Sequence, residues 1–293
     1  MKLNLNYYNG EDLYSDGEVE DELLQITENH KSFHHILKTN TSWPILYHLS
    51  PLRANLLEWY PFEETATLLE IGAGCGALTG LFSNKVSKVT AVELSKKRAE
   101  ILARRHEDRE NIEVLVGNFE DMQFSHKFDY ITLIGVLEYS GKFGGGSSPY
   151  LDFLKKAKSM LAPDGTLIVA IENKYGLKYW AGALEDHTGR LFDSIEHYLG
   201  NDDVRTFGKK EIEELLNGAG FSNNEFYYPM PDYKLPSQIF SDDYLPKPGD
   251  LKLSPNFDRD RLLLFNEKIT FDNIIQNEMF PFFSNSFLIF SKE

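Results

Sequence analysis

The stretch Leu68-Leu69-Glu70-Ile71-Gly72-Ala73-Gly74-Cys75-Gly76-Ala77-Leu78-Thr79-Gly80 runs from a short apolar strand through an acidic residue into alternating glycines, and a helix follows. Glycines at that spacing let backbone N–H groups approach a nucleotide-like ligand where a Cβ would clash. The loop by itself leaves open which nucleotide that is.

Downstream the hydrophobic period alternates between strand and helix. Strands are predicted at Thr67–Ile71, Lys88–Leu94, Ile112–Val116, Phe128–Ile134 and Thr166–Ile171. Helices are predicted to begin near Ala77, Ser95 and Pro149, and another spans about Lys209–Leu216. Phe226–Tyr228 and Ser286–Phe290 read as two further strands. Such alternation predicts a parallel sheet with helices on both faces, and ligands in these sheets sit beyond the carboxyl ends of the strands. Upstream, residues 22–39 read as helical, Ser50-Pro51 as a helix start, and the acidic run over 9–29 as a solvated, loosely ordered lead-in.

Composition narrows the function classes. The chain has 293 residues and a formal net charge of −15, from 45 acidic against 30 basic side chains, which argues against a protein whose main task is gripping nucleic-acid phosphates. A single cysteine, Cys75, forms no intrachain disulfide and fits a reducing compartment. No secretory signal or apolar run long enough to span a membrane is read, so the expectation is a cytoplasmic protein. His30, His34 and His35 lack the carboxylate or cysteine spacing of a zinc site, and no metal is expected.

The glycine loop, with Glu70 before it, Glu93 ending the second strand and a strand almost at the C-terminus, resembles the class I methyltransferases that use S-adenosylmethionine. The resemblance covers about residues 66–222 and the terminal strand. It implies an α/β fold: a seven-stranded Rossmann-like sheet with an antiparallel last strand, an N-terminal helical cap over 1–62, and a methyltransferase domain over 63–293 with acceptor-side inserts after strands five and six, at about 174–207 and 229–282. Carried over residue by residue, Gly72, Gly74 and Gly76 pass under the cofactor. Glu70 fixes the loop through its amides or a water, and Glu93 accepts the ribose hydroxyls with two parallel oxygens. Asn118 stands where the family often has Asp and takes the adenine amine through its carbonyl. Phe119 packs against the adenine, and Gly135 lies where the fourth strand meets the methyl group. Gly72, Gly74 and Ala77 also satisfy the dinucleotide spacing G-x-G-x-x-A, which keeps an NAD-dependent oxidoreductase as a rival. A cofactor-binding scaffold without catalysis is a third reading.

The loop together with Val92-Glu93-Leu94 also resembles the ribosomal RNA adenine dimethylases. Those carry N-[LIV]-P-[FY] after the fourth strand, where this chain has Ile134-Gly135-Val136-Leu137-Glu138-Tyr139. Without that motif, and with the acidic balance, nucleic acid is not expected as a partner. The segments Ala170–Gly182, Glu185–Gly189 and Tyr227–Pro236 resemble a bacterial methyltransferase subfamily associated with cell-surface polysaccharide gene clusters. That implies O-methylation of a sugar or glycan-linked acceptor, with a glycosyltransferase as a possible partner; a small-molecule methyltransferase of secondary metabolism is the alternative. A hydroxyl acceptor needs a base, and the candidates are Glu138 and Glu172 at strand ends and the Asp186-His187 pair, with His187 the natural proton acceptor near neutral pH.

Overall fold

In the computed structural model the described residues are 2–12, 14–15, 17–144, 146–200, 203–253 and 260–293. They divide into two compact units, the first made of Met1–Leu133 with Met160–Gly165 and the second of Ile134–Ser159 with Thr166–Glu293.

The first unit contains β1 (Lys2–Tyr7), α1 (Val19–Asn29), α2 (His34–Thr39), α3 (Trp43–Leu49), β2 (Thr67–Ile71), α4 (Thr79–Lys85), β3 (Lys88–Glu93), α5 (Lys96–Arg105), β4 (Ile112–Gly117) and β5 (Phe128–Ile134). Its strands lie in the order β1-β4-β3-β2-β5, and every neighbouring pair is parallel. The central strands are buried almost from end to end, as strands covered on both faces must be. Parallel pairing puts the carboxyl ends of β2, β3 and β4 on one edge, so the glycine loop, Glu93 and Asn118 meet there. Helix α5 starts where it does because the Ser95 side chain accepts from the Arg98 amide at 3.4 Å, and it buries Ala99, Ile101 and Leu102.

The second unit contains α6 (Ser140–Phe143), α7 (Pro149–Met160), most of β6 (Leu161–Glu172), α8 (Leu177–Trp180), α9 (Lys209–Gly218), β7 (Asn223–Met230), β8 (Gln238–Ser241), α10 (Glu267–Gln276), α11 (Phe280–Phe283) and β9 (Ser286–Lys292). Its strands run β6-β9-β7-β8 with antiparallel neighbours throughout. The terminal strand β9 is buried at every position but its last and pairs on both sides, Leu288 opposite Ala170 on one and Tyr227 on the other.

Among the described residues nine strands stand where seven were expected. The additional ones are β1 and β8. Lys2-Leu3-Asn4-Leu5-Asn6-Tyr7 alternates apolar and polar residues, and β4 supplies the parallel partner that such a short run needs. The first residues of the expected helical cap are therefore a sheet edge. Strand β8 lies inside the expected insert after strand six and is held by four registered pairs with β7, from Tyr227–Ser241 to Met230–Gln238. The helix read over 22–39 is broken into α1 and α2. The acidic lead-in is anchored: Asp12 Oδ1 accepts from the Lys96 amide at 2.8 Å, and Glu20, 1% exposed, pairs with Arg98 at 3.1 Å. Among the described residues no helix is long and apolar enough to cross a membrane.

Candidate functional site

The glycine loop of the first unit is tied to β3. The amides of Gly72 and Ala73 donate to the Val92 carbonyl at 2.9 and 3.0 Å, and Gly74 N–H donates to Glu93 Oε2 at 2.7 Å. The other Glu93 oxygen accepts from the Ser95 amide at 2.9 Å. Burial pushes the Glu93 carboxyl up from its ordinary value, against the pull of Arg98 and these amides. All three loop glycines have positive φ, +71, +55 and +76° at Gly72, Gly74 and Gly76. At Gly76 a Cβ would lie 2.9 Å from Leu102, whereas at Gly74 it would meet nothing within 4 Å. The loop is thus pinned on its protein side and open above Gly74, which is the cradle a nucleoside with an amino-acid tail requires.

Glu70 does not hold the loop amides; those go to Val92 and Glu93. Its Oε2 accepts from the Thr79 hydroxyl at 2.6 Å, which ties the end of β2 to the start of α4, and burial raises its carboxyl to about 8. Asn118 Oδ1 accepts from the Glu120 amide at 3.0 Å, which caps the turn after β4. Phe119 is buried, with 4% exposure. Cys75 packs with Leu23, Ile45, Leu49 and Ile101, and burial pushes its thiol up to about 12, so it is a packing residue. His30, His34 and His35 are exposed.

In the second unit the four candidate catalytic residues come together around two lysines. Glu172, at the end of β6 and 0% exposed, has Lys234 Nζ 2.5 Å from Oε1 and His187 Nε2 3.6 Å from Oε2. Asp186 lies between Lys234 at 2.6 Å and Lys178 at 2.8 Å and also accepts from the Tyr179 hydroxyl at 2.6 Å. Burial opposes ionisation of both carboxyls, but the ammonium groups outweigh it and hold Glu172 and Asp186 below the ordinary range. Glu138 is 1% exposed, and its Oε2 has no hydrogen-bond partner among the described residues. Burial and the Glu172 charge raise its carboxyl to about 8. Burial would lower His187, yet Glu172 and Glu138 outweigh it and raise the imidazole to about 9. The residue expected to take a proton therefore already carries one near neutral pH. Gly135, expected at the cofactor, packs in this unit against Tyr233 and Glu138: a Cβ there would lie 2.7 Å from the Tyr233 hydroxyl.

Lys178, Lys234, Asp232 and Glu185 did not emerge as site residues from the sequence. Glu185 positions the cluster by accepting from the amides of His187 and Thr188, both at 2.7 Å. The signal for these four was present in the segments Ala170–Gly182, Glu185–Gly189 and Tyr227–Pro236, where charges sit among aromatic residues.

Comparison with known proteins agrees with this architecture. Residues 69–169 match the methyltransferase domain family. The chain is 30% identical over 80 residues to ribosomal RNA small subunit methyltransferase A of Syntrophus aciditrophicus, and 40% identical over 74 residues to Probable ribosomal RNA small subunit methyltransferase A of Methanosarcina acetivorans. These matches take in 27% and 25% of this chain, and it spans only 26% of each relative. Among solved structures, the complex of the Haloferax volcanii Trm112 methyltransferase activator with a methyltransferase contains a chain similar in fold, with a TM-score of 0.50 and 17% identity over 92% of this chain and 96% of that one. Residues 69–169 are thus similar to a methyltransferase domain.

Proposed function

We propose that the chain transfers a methyl group from S-adenosylmethionine to a hydroxyl of a sugar or glycan-linked acceptor. The observation that carries the cofactor half is Glu93: a buried carboxylate at the end of β3 that pins the Gly74 amide beside the glycine loop, where a carboxylate suits the two hydroxyls of a ribose. When bound, S-adenosylmethionine supplies an electrophilic methyl group on a sulfonium, so the protein's part is orientation, exclusion of water and handling of the acceptor's proton. Gly72, Gly74 and Gly76 form the bed under the cofactor, and Asn118 and Phe119 serve its base.

The acceptor half is assigned to the second unit. Its buried polar atoms without a hydrogen-bond partner among the described residues include Glu138 Oε2, Ser140 Oγ, Thr188 Oγ1 and Ser194 Oγ, a mixture of donors and acceptors that suits a polyhydroxylated ligand. His187, Glu138, Glu172 and Asp186 hold the acceptor hydroxyl; with His187 already protonated, its proton passes to an ionised carboxylate of the cluster, Lys178 and Lys234 keeping Asp186 and Glu172 ionised. The setting we infer is cell-surface polysaccharide assembly, with a glycosyltransferase as partner; a small-molecule acceptor of secondary metabolism is the nearest alternative. The names of the curated relatives favour an RNA acceptor as a second reading. The net charge of −15 and the segment Ile134–Tyr139, which lacks the dimethylase motif, weigh against it.

Calorimetric titration with S-adenosylhomocysteine, and with NAD in parallel, tests the cofactor. Micromolar binding of the adenosyl ligand, weakened by Glu93→Ala, is expected. Binding of NAD alone overturns the reading. Radiolabelled methyl transfer to sugar nucleotides, small phenols and ribosomal RNA then sorts the acceptors.

A further inference from the structure

We propose that Glu138, Glu172 and His187 form a three-ligand site for a divalent cation of the zinc type, with a fourth position open to an acceptor oxygen. This deepens the acceptor side of the function proposed above and rests on that reading for its role, while the site itself rests on the geometry of the second unit.

One ligand atom from each of the three residues lies within 4.8 Å of the other two. Glu138 Oε2, Glu172 Oε2 and His187 Nε2 lack a hydrogen-bond partner among the described residues, while Glu172 Oε1 faces Lys234, and the two glutamates are 1% and 0% exposed. Buried polar atoms are ordinarily satisfied, so a group of them converging on one point marks a missing ion or water. The separation of His187 Nε2 from Glu172 Oε2, 3.6 Å, is too long for a hydrogen bond. Two ligands each about 2.1 Å from one ion stand that far apart when the angle between them is a little wider than tetrahedral.

The surroundings point the same way. Lys234 engages Glu172 through Oε1, which leaves Oε2 for the site. His187 Nδ1 lies 3.1 Å from the Tyr139 hydroxyl; an Nδ1–H donated there leaves the Nε2 lone pair to face the carboxylates, the outer-shell arrangement that orients metal-binding imidazoles. The cation would replace the proton that the glutamates otherwise hold on Nε2. A neighbouring trio, Glu172, Asp186 and Asp232, also has ligand spacing, but the ammonium groups of Lys178 and Lys234 already sit among its oxygens. The carboxyls of this cluster, Glu138, Glu172, Glu185, Asp186 and Asp232, outnumber its cationic groups Lys178, Lys234 and His187, and uncompensated buried charge is costly. A divalent cation placed on Glu138 and Glu172 offsets the excess. Two carboxylates, one imidazole and an open position is a donor set that suits zinc and its Co(II) substitute.

The test is a Co(II) titration of the purified full chain, stripped with chelator, read by visible absorption, with Zn(II) competition by calorimetry. Saturable binding of one equivalent is expected, weakened at least about tenfold by Glu138→Gln and by His187→Gln. S-adenosylhomocysteine binding is measured on each variant to show that it is folded. Absence of saturable Co(II) or Zn(II) binding to a wild-type chain that binds the adenosyl ligand overturns the cation site and leaves the methyltransferase reading standing. So does binding that both substitutions leave unchanged. Cation binding of the expected kind without adenosyl binding leaves the site standing and removes the cofactor reading.

Discussion

Lys178 holds its ammonium 2.9 Å from Asp232 Oδ2, with the lysine 6% and the aspartate 0% exposed. The same ammonium lies 2.8 Å from Asp186, so one buried cation serves two carboxylates contributed by distant parts of the chain. Replacing it with an apolar side chain leaves both carboxylates to Lys234. Lys178→Met is expected to lower stability by about 3–5 kcal/mol, the cost of breaking a buried pair from one side. The urea midpoint checks this, and a shift under about 1 kcal/mol would show that the pair is solvated in solution.

Gly117 ends β4 directly beneath β1. A Cβ built on it would lie 2.3 Å from the Tyr7 carbonyl oxygen, and its φ of +140° is one that L side chains rarely adopt. Gly117→Ala is therefore expected to lift β1 off the sheet edge at a cost of about 1–3 kcal/mol. Amide exchange should accelerate across Leu3–Tyr7 while β2 and β3 stay protected. Unchanged exchange in β1 would mean that the close approach relaxes without cost.

Glu70 makes native stability depend on pH. Buried beside Thr79, it loses its proton near about 8 rather than at its ordinary 4.5. Between those values the native state binds more protons than the unfolded one, so the stability linked to keeping that proton is complete below 4.5 and is lost as pH rises to about 8. Glu70→Gln keeps an oxygen for the Thr79 hydroxyl and cannot ionise. Its stability should fall less than that of the wild type over this window, a difference read by urea unfolding at several pH values. Parallel curves for the two proteins would refute the assignment.

Asp12 acts as an additional cap on α5, accepting from the Lys96 amide at 2.8 Å close to Ser95, the residue after Leu94 and Glu93. Asp12→Ala is expected to cost about 1 kcal/mol, as loss of a helix cap does. It should also make the segment ahead of α1 more susceptible to limited proteolysis. Equal cleavage rates in variant and wild type would show that Asp12 does not anchor that segment.

Much of the architecture was legible because its signals are local. The apolar runs at Thr67–Ile71, Lys88–Glu93 and Ile112–Gly117 have only one way to be buried, and the glycine loop follows the first of them. Strand β1 was missed because its alternation is short and becomes a strand only through β4. The position of Glu93 at a strand end was readable, but not that it binds the Gly74 amide at 2.7 Å. Nor was the protonation of His187 readable, because Glu172, placed against its Nε2, stands fifteen positions away in the chain and no local pattern joins the two.

By itself the sequence determined the alternating strands and helices, the glycine loop and the identity of the acids at the strand ends, because backbone sterics and hydrophobic periodicity act over a few neighbouring residues. Tertiary structure alone decided the ionisation of those acids and their partners. Whether Glu138 keeps its proton, or Lys178 serves Asp186 and Asp232, depends on desolvation and on charges a few ångströms away, and folding brings those charges from positions far apart in the chain.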